Sequence, residues 1–378
     1  MAIALAGLSL AFQFPGFALR GYLEGCQDYH LANAVDIAAE LLRAGITLML
    51  LLAGFNLLAV IAVFPVIALA RLTGLHLAAH YSAIGWQPQW SQMNMRSMSQ
   101  IREFTTISFL DGTFMRWFLQ ADKLLAARLL PLPSLAILAV ARRIPLSLQT
   151  FCSQPFFVTY PMVSSADALG NRAKIQKFVF LSTRILLAIT LPLATCLWAW
   201  GDVILRLWIG EEVAAGITVF RIFVVFAFFA TMQEVPLVLL YGVGKIRYSA
   251  AVSAIMLVAG VVAGTWASLR SGLEGLAVAF TVVQAIGTIM LFVHALPVAG
   301  VRWDDWFRKS FRPVLHAWLP VLGWLVITSL LFPRTLAGLI LSIVPGMAAF
   351  VFLIARIVVK SETPNWKVYM QRLLLEIE

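Results

Sequence analysis

The chain has 378 residues, 61% of them hydrophobic and only 12% charged, against about 45–50% and 25% in a soluble domain. That composition excludes water as its main solvent. The formal net charge of +10 suits cytoplasmic loops facing anionic lipid headgroups rather than a nucleic-acid partner.

A helix needs about 20 apolar residues to cross the hydrocarbon core, and about eleven stretches of the sequence qualify. In chain order they lie near 2–19, 31–53, 55–70, 104–120, 131–164, 178–200, 217–241, 249–269, 276–299, 314–332 and 336–355. The sequence thus predicts an all-α integral membrane protein. Segments 1–74 and 104–299 are expected to be helix bundles, the first with three helices. A linker over 75–103 joins them, two further helices occupy 300–358, and an amphipathic tail covers 359–378. The tail carries Trp366, Met370, Leu373, Leu374 and Ile377 at helical spacing, and Trp86 and Trp90 in the linker suit the same membrane-surface role. No basic residue precedes Arg20, so the start lacks the positive region of a signal peptide. Cys26, Cys152 and Cys196 stand singly, with no spacing that suggests a disulfide framework or a metal site.

Positive charge alternates between loops, which sets an orientation. One side holds Arg20, Arg71, Arg96, Arg102, Arg172, Lys174, Lys177, Lys245, Arg247, the basic residues from Arg302 to Arg312 and those from Arg356 onward. The other holds Lys123, Arg128, Arg206, Arg270 and Arg334. The C-terminus is therefore expected to be cytoplasmic and Met1 outward. An internal repeat bears on that start. Pro15 and Gly21 have the spacing of Pro236 and Gly242, and each pair precedes a Gly-x-x-x-Leu-Ala step, at Gly54–Ala59 and Gly272–Ala277. Three helices precede the second copy and none the first, so a missing N-terminal trio is expected.

Several motifs resemble the bacterial polysaccharide flippases of the O-antigen and capsule type, within the multidrug-extrusion-like transporter superfamily. Leu138, Arg142, Arg143 and Pro145, continuing to Tyr160, Pro161, Ser164 and the turn at Gly170–Asn171, look like the family's eighth helix and its exit. Trp208 and Gly210 are similar to its Trp-x-Gly turn, Pro236 to Lys245 to its tenth helix, and Gly272–Ala277 to the start of its twelfth. The resemblance implies two six-helix bundles and two extra helices, here with the first three helices absent. It implies a protein that is not an enzyme and needs no cofactor or metal. Its cargo would be undecaprenyl-pyrophosphate-linked oligosaccharide, moved across the bacterial inner membrane, with membrane lipids and other polysaccharide-assembly proteins as partners.

Charges at bilayer depth are the candidate site residues, because each is costly unless paired or facing water. Arg142, Arg143, Arg43 and Arg116 are the candidates for binding substrate, since a guanidinium stays charged and forks hydrogen bonds onto phosphate. Neighbours on a helix point about 100° apart, so only one of Arg142 and Arg143 can face a cavity, and the other is expected to pair with an acid. Asp36, Glu40, Asp111 and Glu234 are candidates for ion coupling. Asp36, Glu40 and Arg43 share one helix face by spacing. Internal pairing of Arg43 with Glu40 or Asp36, and of Arg116 with Asp111, is the alternative reading. Arg184 and Arg221, close to helix ends, suit snorkelling to headgroups, and Pro145, Pro155, Pro192 and Pro236 are expected to bend their helices. Three rival functions remain open: a drug or cation extruder, a peptidoglycan-precursor flippase, and a membrane glycosyltransferase or polymerase.

Overall fold

The computed structural model describes residues 2–26, 28–82, 95–210 and 216–362. These residues are almost entirely helical, because a chain this apolar must satisfy its backbone groups within each segment. Among the described residues, seven segments are long and apolar enough to cross a membrane by length and composition. The chain divides into two compact units, residues 1–100 and 101–378.

The first unit contains α1 (Ala2–Gly25), α2 (Tyr29–Leu52) and α3 (Leu57–Tyr81). Helix α3 packs against both of the others. Gly74 lets it approach α2 closely, since a Cβ there would lie 2.8 Å from Val35. The Gly54 turn before α3 has φ of +76°, a conformation glycine adopts without penalty.

Chain order in the second unit runs α4 (Met95–Leu129), whose first turns precede the boundary, α5 (Leu132–Ser153), α6 (Tyr160–Ala168) and α7 (Arg172–Ile209). These are followed by α8 (Ile217–Met232), α9 (Glu234–Gly242), α10 (Ile246–Val298), α11 (Trp303–Trp306), α12 (Arg312–Leu331) and α13 (Leu336–Glu362). The core is aromatic. Phe118 stacks on Phe280 at 5.3 Å and on Phe226 at 6.4 Å. The two apolar stretches at 249–269 and 276–299 form the single element α10, which reverses at Ser271 and Gly272, the latter with φ of +61°. Its halves pack through small residues: a Cβ on Gly264 would meet Phe280 at 2.7 Å, and Gly287 lies against Met256. In lipid, where apolar groups gain little by leaving their solvent, such close approach is the main source of helix association. Each copy of the repeat read from the sequence has a positive-φ glycine at its turn, Gly54 and Gly272.

The structure moves two bends and several helix ends. Helix α5 runs through Pro145, and the break comes in a 3₁₀ turn over Gln154–Thr159, which contains Pro155. In α7 the non-helical residue is Trp200, not Pro192. The α8–α9 break falls at Gln233, three residues before Pro236. Helices α3 and α4 extend into the expected linker from both sides, to Tyr81 and from Met95. Trp86, Trp90 and the tail beyond Glu362 lie outside the described residues. By sequence, Trp198, Trp200, Trp208, Trp303, Trp306, Trp318 and Trp324 fall near the ends of apolar stretches, where aromatic belts anchor. Trp198, Trp208, Trp303 and Trp324 are exposed, Trp318 is half-buried, and Trp200 and Trp306 are buried in the core.

Candidate functional site

Each of the three helices of the first unit contributes to one polar cluster. Asp36 on α2 accepts from Arg20 on α1 through one oxygen and from Arg71 Nε on α3, at 2.6 Å, through the other. Arg20 also donates to Glu24 at 2.7 Å. One turn along α2, Arg43 donates to Glu40 through Nε at 2.8 Å and Nη2 at 2.5 Å, with its guanidinium 5.9 Å from the Phe64 ring. The spacing that put Asp36, Glu40 and Arg43 on one face is therefore realised. That face lines a cavity of about 360 Å³, which Ser9, Gln13 and Arg71 also line. Its walls mix guanidinium donors with carboxylate and amide acceptors, so it can replace the water around an anionic, hydroxyl-rich group.

The second unit holds two separate buried acids. Arg142 of α5 is 3% exposed and Asp122 of α4 is 1% exposed. Arg142 Nη1 reaches both Asp122 oxygens at 2.5 Å, Nη2 donates to Leu119 O at 2.7 Å, and the guanidinium lies 5.6 Å from the Phe223 ring. Arg142 is thus the member of the arginine pair that takes an acid, and Arg143 is exposed, its guanidinium with no hydrogen bond or ion pair among the described residues. Asp111 of α4 is 4% exposed and accepts from three hydroxyls: Tyr241 of α9 at 2.6 Å, and Ser249 and Ser253 of α10 at 2.6 and 2.5 Å. The alternative pairing of Asp111 with Arg116 is not formed. Arg116 is exposed on α4, because positions five apart on a helix point away from one another. Glu234 sits half-buried in the first turn of α9. It is no partner of Arg247, which pairs with Glu103.

Sequence reasoning missed Arg20, Arg71 and Asp122, which it placed in loops. Hydropathy falls at a charge and so ends a predicted span there, but the helix continues: α1 to Gly25, α3 to Tyr81 and α4 to Leu129. The available signal was the run Ala121–Leu130, rich in Ala and Leu, which favours helix on both sides of Asp122. Nothing in the sequence marks Ser249 and Ser253 beyond their spacing of four.

Three comparisons with known proteins bear on this arrangement. The family model described as polysaccharide biosynthesis protein matches residues 2–215. No curated protein sequence shows significant similarity to the chain. Among solved structures, the lipid II flippase MurJ in its inward closed conformation aligns with a TM-score of 0.66 at 12% identity, over 93% of this chain and 72% of that one. At that identity the likeness shows a shared fold. With more than half of its length matched by the family model, the chain belongs to the polysaccharide biosynthesis protein family.

Proposed function

We propose that this protein moves a lipid-linked oligosaccharide, with undecaprenyl pyrophosphate as its anchor, across the bacterial inner membrane. The observation that carries this reading is the cavity of the first unit, where Arg43 and Arg71 meet Gln13 and Ser9 inside a bundle of apolar helices. A pyrophosphate with its sugars cannot enter hydrocarbon unless fixed donors replace its water. Guanidinium groups provide two parallel hydrogen bonds each, and Asp36 and Glu40 hold those groups extended until an anion competes for them. Arg43 and Arg71 are the substrate-binding residues of this reading. Arg116 and Arg143, exposed and unpaired among the described residues, are auxiliary candidates, and Arg142 acts as a positioning residue through Asp122. Asp111 and Glu234 are the candidate ion-coupling acids of the second unit, because neither carries a salt bridge among the described residues. The cytoplasmic placement of the C-terminus follows from the loop charges. The same reading sets residues 1–74 and 104–299 as the working bundles, joined by 75–103. It makes 300–358 an added helix pair and 359–378 a cytoplasmic tail, with assembly proteins as partners on that side.

The fold shared with a lipid II flippase supports a second cargo of the same chemistry, the peptidoglycan precursor. Proteoliposomes carrying a fluorescent undecaprenyl-pyrophosphate oligosaccharide or fluorescent lipid II test both. Arg43→Ala and Arg71→Ala should each slow flipping of the preferred cargo about tenfold or more, as for the loss of a charge-assisted hydrogen bond, at unchanged reconstitution. Wild-type rates in both variants would sink the arginine reading, and faster flipping of lipid II would replace the oligosaccharide.

A further inference from the structure

Outside these polar clusters, α7, α8 and α12 enclose an apolar groove of about 240 Å³. Leu191, Ala194 and Trp198 form the α7 wall, Val225 and Phe228 the α8 wall, and Trp318 the α12 wall. On α7 and α8 these positions recur at three- and four-residue intervals, so each wall is one helix face about two turns long. The polar atoms of Thr195 and Trp318 are already used within the protein: Thr195 donates to Leu191 O at 2.7 Å and accepts from Trp318 Nε1 at 3.0 Å. The interior of the groove therefore offers nothing to a sugar or to water and suits hydrocarbon.

One mouth of the groove differs. Arg221, one turn before Val224 and Val225 on the same face of α8, lies with its guanidinium 5.0 Å from the Trp198 ring and donates Nε to Trp198 O at 3.0 Å. Its two terminal nitrogens have no hydrogen bond or ion pair among the described residues. The carboxylate of Asp202 is taken by Arg334, at 3.3 Å. Trp198 is 50% exposed, with its indole N–H also without a partner among the described residues. Arg221, outside the lining itself, thus sets a cation beside the lining residue Trp198, one turn along α8 from Val224 and Val225.

We propose that this groove binds one acyl chain of an anionic glycerophospholipid, whose phosphate is held by the free nitrogens of Arg221 and whose ester region meets Trp198. Stacking on Trp198 and the Nε bond fix the guanidinium in place, so binding a phosphate costs little further side-chain ordering. A lipid merely coating the protein would need only the apolar walls. The charge at one mouth makes the site selective for headgroup and for the leaflet on the side of the α7–α8 connection.

The test is native mass spectrometry of the delipidated full chain, mixed with equal amounts of phosphatidylglycerol and phosphatidylcholine of matched acyl chains. The wild type should retain phosphatidylglycerol roughly tenfold over phosphatidylcholine, the discrimination expected of one charge-assisted hydrogen bond. Arg221→Gln should bring that ratio close to one. Arg270→Gln is the control, because Arg270 also stacks on a tryptophan, Trp266, at 4.4 Å, but lines no part of the groove; it should keep the wild-type ratio. Val225→Trp, which fills the slot, should lose the first bound lipid of either kind. A wild-type ratio in Arg221→Gln, or an equal fall in Arg270→Gln, would overturn the proposal. So would displacement of phosphatidylglycerol by equimolar undecaprenyl phosphate in the wild type and not in Val225→Trp, which would give the groove to the carrier lipid.

Discussion

In the first unit Asp36 lies between two arginines from neighbouring helices, and in the second Asp111 lies among three hydroxyls, with no cation in reach among the described residues. Both carboxylates are satisfied on each oxygen by side chains of neighbouring helices. The difference is in what remains when the hydrogen bonds are counted. Around Asp36 the charges balance, Arg20 and Arg71 against Asp36 and Glu24, and guanidinium groups about a third exposed remain open to an anion that competes with the acids. Around Asp111 the charge is only solvated by neutral donors, which leaves it receptive to a proton or a small cation. Asp122 is a third case, sealed against Arg142 with both groups out of contact with solvent. The same side chain thus serves three ends, according to whether its neighbours carry charge and whether water or lipid headgroups can reach it.

Removing each acid in turn separates the three cases, and thermal unfolding of the detergent-solubilised protein ranks them. Asp122→Ala should have the largest effect, about 3–5 kcal/mol, because it strands a buried guanidinium. Replacing the pair together, with Asp122→Leu and Arg142→Met, should recover much of that loss; if the single variant unfolds like the wild type, the pair is not structural. Asp36→Asn should cost about 1–2 kcal/mol, since Arg20 and Arg71 are about a third exposed and can turn to water or headgroups. The same variant should raise affinity for an anionic cargo, and weaker binding would show that the carboxylate itself contacts substrate. Asp111→Asn should be the mildest, about 1 kcal/mol, because the amide still offers hydrogen bonds to Tyr241, Ser249 and Ser253. Its transport rate should nonetheless lose its response to an imposed proton or sodium gradient, and an unchanged response would remove Asp111 from coupling.

How much of this was legible in the sequence depended on the distance between partners along the chain. Asp36, Glu40 and Arg43 are seven residues apart at most and fall on one helix face, so their common cavity could be read from spacing. The Gly54 and Gly272 turns were marked by the repeat, and both glycines have a positive φ. Arg71 is 35 residues from Asp36, and Ser253 is 142 from Asp111. Such pairings are made by helix packing, which no local pattern reports. Helix ends were misplaced for a related reason: a charge lowers hydropathy without breaking a helix when the tertiary structure supplies its partner, as Asp122 in α4 shows. Conversely, Trp200 and Trp306 looked like interface anchors and are core residues, because tryptophan suits either place.

The reversal at Ser271 and Gly272 also bears on how the chain reaches this state. The contacts that zip the two halves of α10, Gly264 against Phe280 and Gly287 against Met256, join residues only 16 and 31 positions apart. They can form as soon as both halves have entered the bilayer, before α12 and α13 are inserted, because contacts local in sequence close fastest. Phe118, which lies against Gly260 and the Phe280 ring and on which Phe226 stacks, then meets a preassembled surface. The hairpin is thus a template on which the earlier helices of the second unit can find their register.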